Sequence, residues 1–72
     1  MNPQVIKLHD ILTVSSLSKT LSDTLKIGDS VTIVHIYAGL INKVVGFELE
    51  FTNKDGNPQV ITAGIKDISF SK

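Results

Sequence analysis

The stretch from Val45 to Val60 constrains this chain most. Val45, Phe47, Leu49 and Phe51 alternate with Gly46, Glu48, Glu50 and Thr52, and a period of two places one set on the buried face of a strand and the other on its solvent face. Asn53-Lys54-Asp55-Gly56-Asn57 follows at once. Asp-Gly accepts the positive φ angles that tight β-turns demand, so a hairpin closes here, with Gln59 to Ala63 as its second strand. Pro58 has no N–H for a ladder and belongs at an edge or at the first position of that strand. Two registers satisfy the pattern: a two-residue loop pairs Phe51 with Val60, and a three-residue bulged loop pairs Leu49 with Ile61. Upstream of Val45 the alternation slips by one residue at Val44, and with Gly46 adjacent to Val45 a bulge or sharp bend is predicted there.

The segments around this hairpin are also rich in β-formers. Val31 to Tyr37 carries β-branched residues at both parities, the mark of a central strand; simple alternation puts Val31, Ile33, His35 and Tyr37 on one face and Val34 and Ile36 on the other. Ala38-Gly39 turns the chain, and Leu40 opens the next strand. Gly64 breaks the strand after the hairpin, and Ile65 to Phe70 reads as a closing strand with Ile68 and Phe70 on one face. Leu17, Leu21 and Leu25 recur every four positions. As a strand this face would also carry Lys19 and Asp23; as a helix the leucines drift by only about 40° per step and form one stripe with Val14. A helix near residues 16–26 is therefore expected, capped by Ser15 or Ser16 and ended by Gly28 in the left-handed region. In residues 5–14 the placement of Ile6, Leu8, Leu12 and Val14 favours a strand, which Asp10 interrupts. Asn2-Pro3 suits a helix start and keeps a helix open as the alternative.

A chain of 72 residues has room for one core and hence one domain, residues 1–72. With 42% hydrophobic and 19% charged residues, it is too apolar to remain disordered. There is no cysteine, which excludes disulfides and thiolate zinc sites. The two histidines, His9 and His35, cannot complete a tetrahedral site without carboxylates. No metal and no cofactor are expected, which leaves efficient packing or oligomerisation to stabilise so small a core. The longest uncharged run, Ser30 to Asn42, falls well short of the roughly 20 apolar residues needed to cross a bilayer. Met1 to Gln4 offers no basic leader. The expectation is a cytoplasmic protein with no membrane partner. Seven lysines balance seven acidic residues, so no net field draws the chain to a polyanion. The absence of arginine removes the planar fork that reads guanine edges. Nine isoleucines and no arginine fit an AT-rich coding sequence of bacterial, phage or mobile-element origin.

The strand count and short connections of residues 25–70, with a helix before them, resemble the outline of an SH3-like barrel, and of its Sm-like variant in particular. The fold expected is mostly β: a small five-stranded barrel of that kind, or a strongly bent antiparallel sheet, with one short helix. The outline transfers no functional residue. His9-Asp10 with His35 is the one combination with acid/base or metal chemistry, and strand histidines are more often satisfied by the backbone. None of the serines lies in a Gly-x-Ser-x-Gly elbow, and no glycines cluster into a phosphate cradle. The phenylalanines share the apolar faces of their strands, so they read as core rather than base-stacking platforms, and Glu48 and Glu50 would repel phosphate.

These features point to a non-enzymatic protein-interaction module, a homodimer with a further protein partner. A small-barrel nucleic-acid binder is the alternative, which the charge distribution disfavours. Two apolar faces on the strand at 31–37 cannot both fill one small core. The dimer surface is therefore expected at Val34 and Ile36, with Val44 as a weaker contact.

Overall fold

A computed structural model describes residues 6–71. The chain forms five strands, β1 (Ile11–Leu17), β2 (Ser30–Ala38), β3 (Val44–Thr52), β4 (Pro58–Gly64) and β5 (Ile68–Ser71), with one helical turn, α1 (Lys19–Ser22), between β1 and β2. All neighbours are antiparallel in a single sheet of order β4-β3-β2-β1-β5. Among the described residues no ladder joins β4 to β5, so the sheet is open and the closed barrel is not formed. Among the described residues, no helix is long and apolar enough to cross a membrane.

The expected hairpin is present, and the backbone chooses between its two registers. Gly56 N–H donates to Asn53 C=O (3.0 Å) and Asn53 N–H to Asn57 C=O (2.9 Å). Gly56 sits at φ 82°, giving a type I turn followed by a left-handed bulge residue. The Asn53 carboxamide oxygen also accepts from Asp55 and Asn57 N–H. Three residues therefore form the loop, and Leu49 pairs with Ile61.

The sheet curls because its strands carry extra residues. Val34 in β2 lies between the pairs Ile33–Leu49 and His35–Glu48. Val45 in β3 lies between Tyr37–Gly46 and Ala38–Val44, at the slip expected near Gly46. Ser15 does the same in β1 between Val14–Phe70 and Ser16–Ser69. Such bulges bend their strand and increase its twist. The curl is measurable: Phe47 of β3 and Phe70 of β5 are three strands apart in the sheet order, about 14 Å in a flat sheet, yet their rings meet edge to face with centroids 5.8 Å apart. One concave face thus encloses the core, built from Leu12 and Val14, Val31 and Ile33, Phe47, Leu49 and Phe51, Ala63, and Ile68 and Phe70, with Leu21 and Leu25 closing one end.

Several local expectations need correction. The helix spans Lys19–Ser22 and not 16–26, because β1 runs on to Leu17 and pairs with Ile68 there. Its N-cap is Ser18 rather than Ser15 or Ser16. Leu21 and Leu25 are buried and Leu17 partly so; the stripe foretold burial, while strand pairing to β5 took the residues before Ser18 out of the helix. Gly28 is left-handed (φ 99°) but sits in the turn before β2 rather than at the helix end. The strand anticipated at 5–14 begins at Ile11 instead. Ile6 to Asp10 form a loop in which the Asp10 carboxylate accepts Lys7 N–H (2.9 Å). The Asn2-Pro3 helix start lies outside the described residues. Leu40 belongs to no strand: Leu40–Asn42 is a single 3-10 turn, and β3 starts at Val44.

Candidate interaction surface

The bulge at Val34 reorders the β2–β3 hairpin. Before it, Val31 and Ile33 face the core; after it, the parity reverses, so Ile36 pairs with Phe47 on the inner side and His35 and Tyr37 emerge on the outer one. The assignment of His35 and Tyr37 to the face of Val31 and Ile33 is therefore corrected, since simple alternation cannot register an inserted residue. Ile36 and Val44 are partly buried and pack against the core, and Val34 is half-buried at the bulge itself. Val34 and Ile36, expected on one shared outer face, are thus separated by the bulge, Ile36 turning to the inner side.

The outer face carries polar chemistry in its place. Glu48 pairs with His35 across one ladder and with Thr62 across the other. Tyr37 O–H donates to the Glu48 carboxylate, and the His35 and Tyr37 rings meet edge to face with centroids 4.5 Å apart. Donation to Glu48 is the main reason the Tyr37 hydroxyl titrates above its ordinary value of 10.0, with desolvation and the Glu48 charge adding to it. A phenol held protonated in this way donates a hydrogen bond near neutral pH and takes no proton. Because the shift is upward, whatever the bond contributes to folding is complete below pH 10 and is lost as pH rises through the raised value. Glu48→Ala should return the Tyr37 titration toward 10.0. Ultraviolet absorbance of the phenolate reports this directly, since Tyr37 is the one tyrosine in the chain; an unchanged midpoint would mean that another group sets it.

His9 and Asp10 do not join His35 in a site. Asp10 is engaged by its own loop, and His9 is in the left-handed region (φ 71°) with its N–H on Ile33 C=O (2.6 Å). Among the described residues, no three His, Asp or Glu side chains converge as metal ligands.

The loop joining β2 to β3 is the least expected part of the molecule. Gly39 N–H donates to Lys43 C=O (2.7 Å), closing a tight connection, and at its tip Leu40 and Ile41 are each 92% exposed. Ile41 has φ 57° and ψ 30°, and Asn42 follows with φ 58°. Asparagine tolerates this region, whereas a β-branched side chain there is strained by about 1–3 kcal/mol. Val45, 50% exposed, lies against Gly39, and Ile65, 47% exposed, donates its N–H to Val45 C=O (3.0 Å). One end of the sheet thus carries four exposed aliphatic residues, Leu40 and Ile41 at the loop tip and Val45 and Ile65 where β3 and β4 meet. Sequence reading missed the tip because leucine and isoleucine beside a turn read as the start of a buried strand. The signal available was the slip at Val44, which separates Leu40 and Ile41 from the alternation that follows.

The chain matches no family model, no curated protein and no solved structure.

Proposed function

We propose that this chain is a non-enzymatic protein-interaction module that presents the β2–β3 loop to a protein partner. The observation that carries the reading is the tip itself, two large aliphatic side chains almost fully in water, one of them on a strained backbone. Scattered exposed hydrophobics are ordinary, but two adjacent large aliphatic side chains at a loop tip, both almost fully exposed, are costly to keep unless they are covered in use. Local strain of this kind is characteristic of recognition loops. Leu40 and Ile41 would act as anchors, with Val45 and Ile65 as the surrounding contact. The architecture is best described as an opened SH3-like small barrel. The strand order, with the first strand between the second and the last, and the curl that brings Phe47 to Phe70 support that description.

Ile41→Asn tests the reading, because it separates stability from binding. Asparagine relieves the strain, so the variant should unfold about 1 kcal/mol later than the parent in urea. It should nonetheless retain less partner when immobilised as bait in extract of the native host. Retention of the same partner by parent and variant would refute the tip. Capture of nucleic acid that weakens steeply with salt would favour the small-barrel nucleic-acid reading instead.

A further inference from the structure

We infer a second interaction surface, independent of the loop tip: the outer edge of β4, unpaired among the described residues, which is built to pair antiparallel with β4 of a second copy. β4 is a margin of the sheet, and from Pro58 to Ile65 it carries no ionisable residue. Edge strands are ordinarily protected by charge, shortness or distortion; β4 has seven residues, and Pro58 at its first position is its one such device.

The hydrogen-bond parity of β4 is fixed at both ends. Asn53 N–H donates to Asn57 C=O at the hairpin mouth, and Ile65 N–H donates to Val45 C=O at the far end. Antiparallel pairs alternate between those that exchange hydrogen bonds and those that do not. With Asn53–Asn57 and Val45–Ile65 of the first kind, the pairs at Gln59, Ile61 and Ala63 bond inward to β3. The main-chain groups of Val60, Thr62 and Gly64 therefore point out of the sheet. Pro58 has the outward parity too, so its missing N–H ends the free ladder at Val60.

This outward set matches itself about a two-fold axis at Thr62. Thr62 faces Thr62 of the second copy, where the two exchange N–H to C=O bonds and threonine pairs are favourable across strands. Val60, half exposed, faces Gly64, whose lack of a side chain leaves room for it. Gly64 C=O also accepts Asp67 N–H (2.9 Å), so Gly64 contributes chiefly its N–H. The strand is uncharged, so two copies meet without like charges in the ladder. Glu48 and Glu50 sit one strand inward, beyond a Debye length from their equivalents at physiological salt. An isologous strand pair of this kind closes as a dimer.

Sedimentation velocity from micromolar to millimolar concentration should show a monomer–dimer equilibrium, with amide exchange at Val60, Thr62 and Gly64 slowing as concentration rises. Thr62→Pro deletes the donor at the axis without touching the β3 ladder, and Thr62→Lys places like charges across the axis. Each should raise the dimer dissociation constant by about tenfold or more, with the far-ultraviolet circular dichroism of the parent retained. The proline variant carries the backbone argument, and the lysine variant stands if proline disturbs the fold. A strict monomer at millimolar concentration would overturn the inference. So would a dimer that ignores both Thr62 changes, or one lost instead in Val34→Lys, which would put the interface on the sheet surface. Ile41→Asn should leave the dimer unaltered, so failure of the edge and failure of the loop tip are told apart.

Discussion

Leu49→Ala should remove about half or more of the folding stability of this domain. Leu49 has no exposed surface and lies on β3, paired with Ile33 of β2 on one side and Ile61 of β4 on the other. Truncating a buried leucine costs about 2–5 kcal/mol, toward the upper end where the surroundings cannot collapse into the cavity. Here the neighbours are main-chain ladders on both flanks, which hold the walls apart. A chain of 72 residues has roughly 4–11 kcal/mol of stability in total, and it has no disulfide to limit the unfolded ensemble. The variant should therefore melt far below the parent, and at the low end of that range be substantially unfolded at room temperature. Urea titration followed by circular dichroism measures the loss. Leu8→Ala, at a site 49% exposed outside the sheet, should shift the midpoint little. A loss below about 1 kcal/mol for Leu49→Ala would contradict the burial on which the core is argued.

The second large effect is expected at Gly46. A Cβ built there would lie 2.9 Å from the Ala63 carbonyl oxygen and 3.5 Å from the Gly64 Cα. Both obstacles are backbone of the paired strand, so the clash is relieved only by parting β3 from β4 at the curled end of the sheet. Overpacking of this sort costs about 1–3 kcal/mol, and Gly46→Val should exceed Gly46→Ala because its branches extend toward the same strand. Gly64→Ala is the control: its Cβ would meet the Asp67 carboxylate at 3.0 Å, the movable end of a side chain, and it should cost well under about 1 kcal/mol. Thermal melts of the three variants order them. Gly46→Ala as stable as the parent would mean that the strands are not held as closely as described.

How much of this was legible in the sequence differs between elements for definite reasons. The Asp55-Gly56 hairpin and the burial of Phe47, Leu49 and Phe51 were readable because both depend on neighbours a few positions apart. Turn chemistry acts through the local φ angles, and period-two alternation acts through the pleat. The leucine stripe at 17, 21 and 25 announced burial for the same reason. It could not announce that β5, some fifty residues further on, would claim Leu17 for a strand. The shared face of Val34 and Ile36 follows from counting alternate residues, and the count fails at the first bulge, since nothing local marks Val34 as the inserted residue.

The β-rich character of the domain was written in the residues themselves, because β-branched and aromatic side chains fit pleated, half-buried surfaces. So was the position of the tightest hairpin, at Asp55-Gly56. Assembly of the strands settled that the sheet stays open, which loop register the hairpin takes, and which face receives His35, Tyr37 and Ile36. Those outcomes depend on pairings between distant strands and on inserted residues that shift parity. It decided as well that Leu40 and Ile41 stand in water. Apolar character expresses a preference for burial, but whether anything lies nearby to bury a side chain is settled by the path of the whole chain.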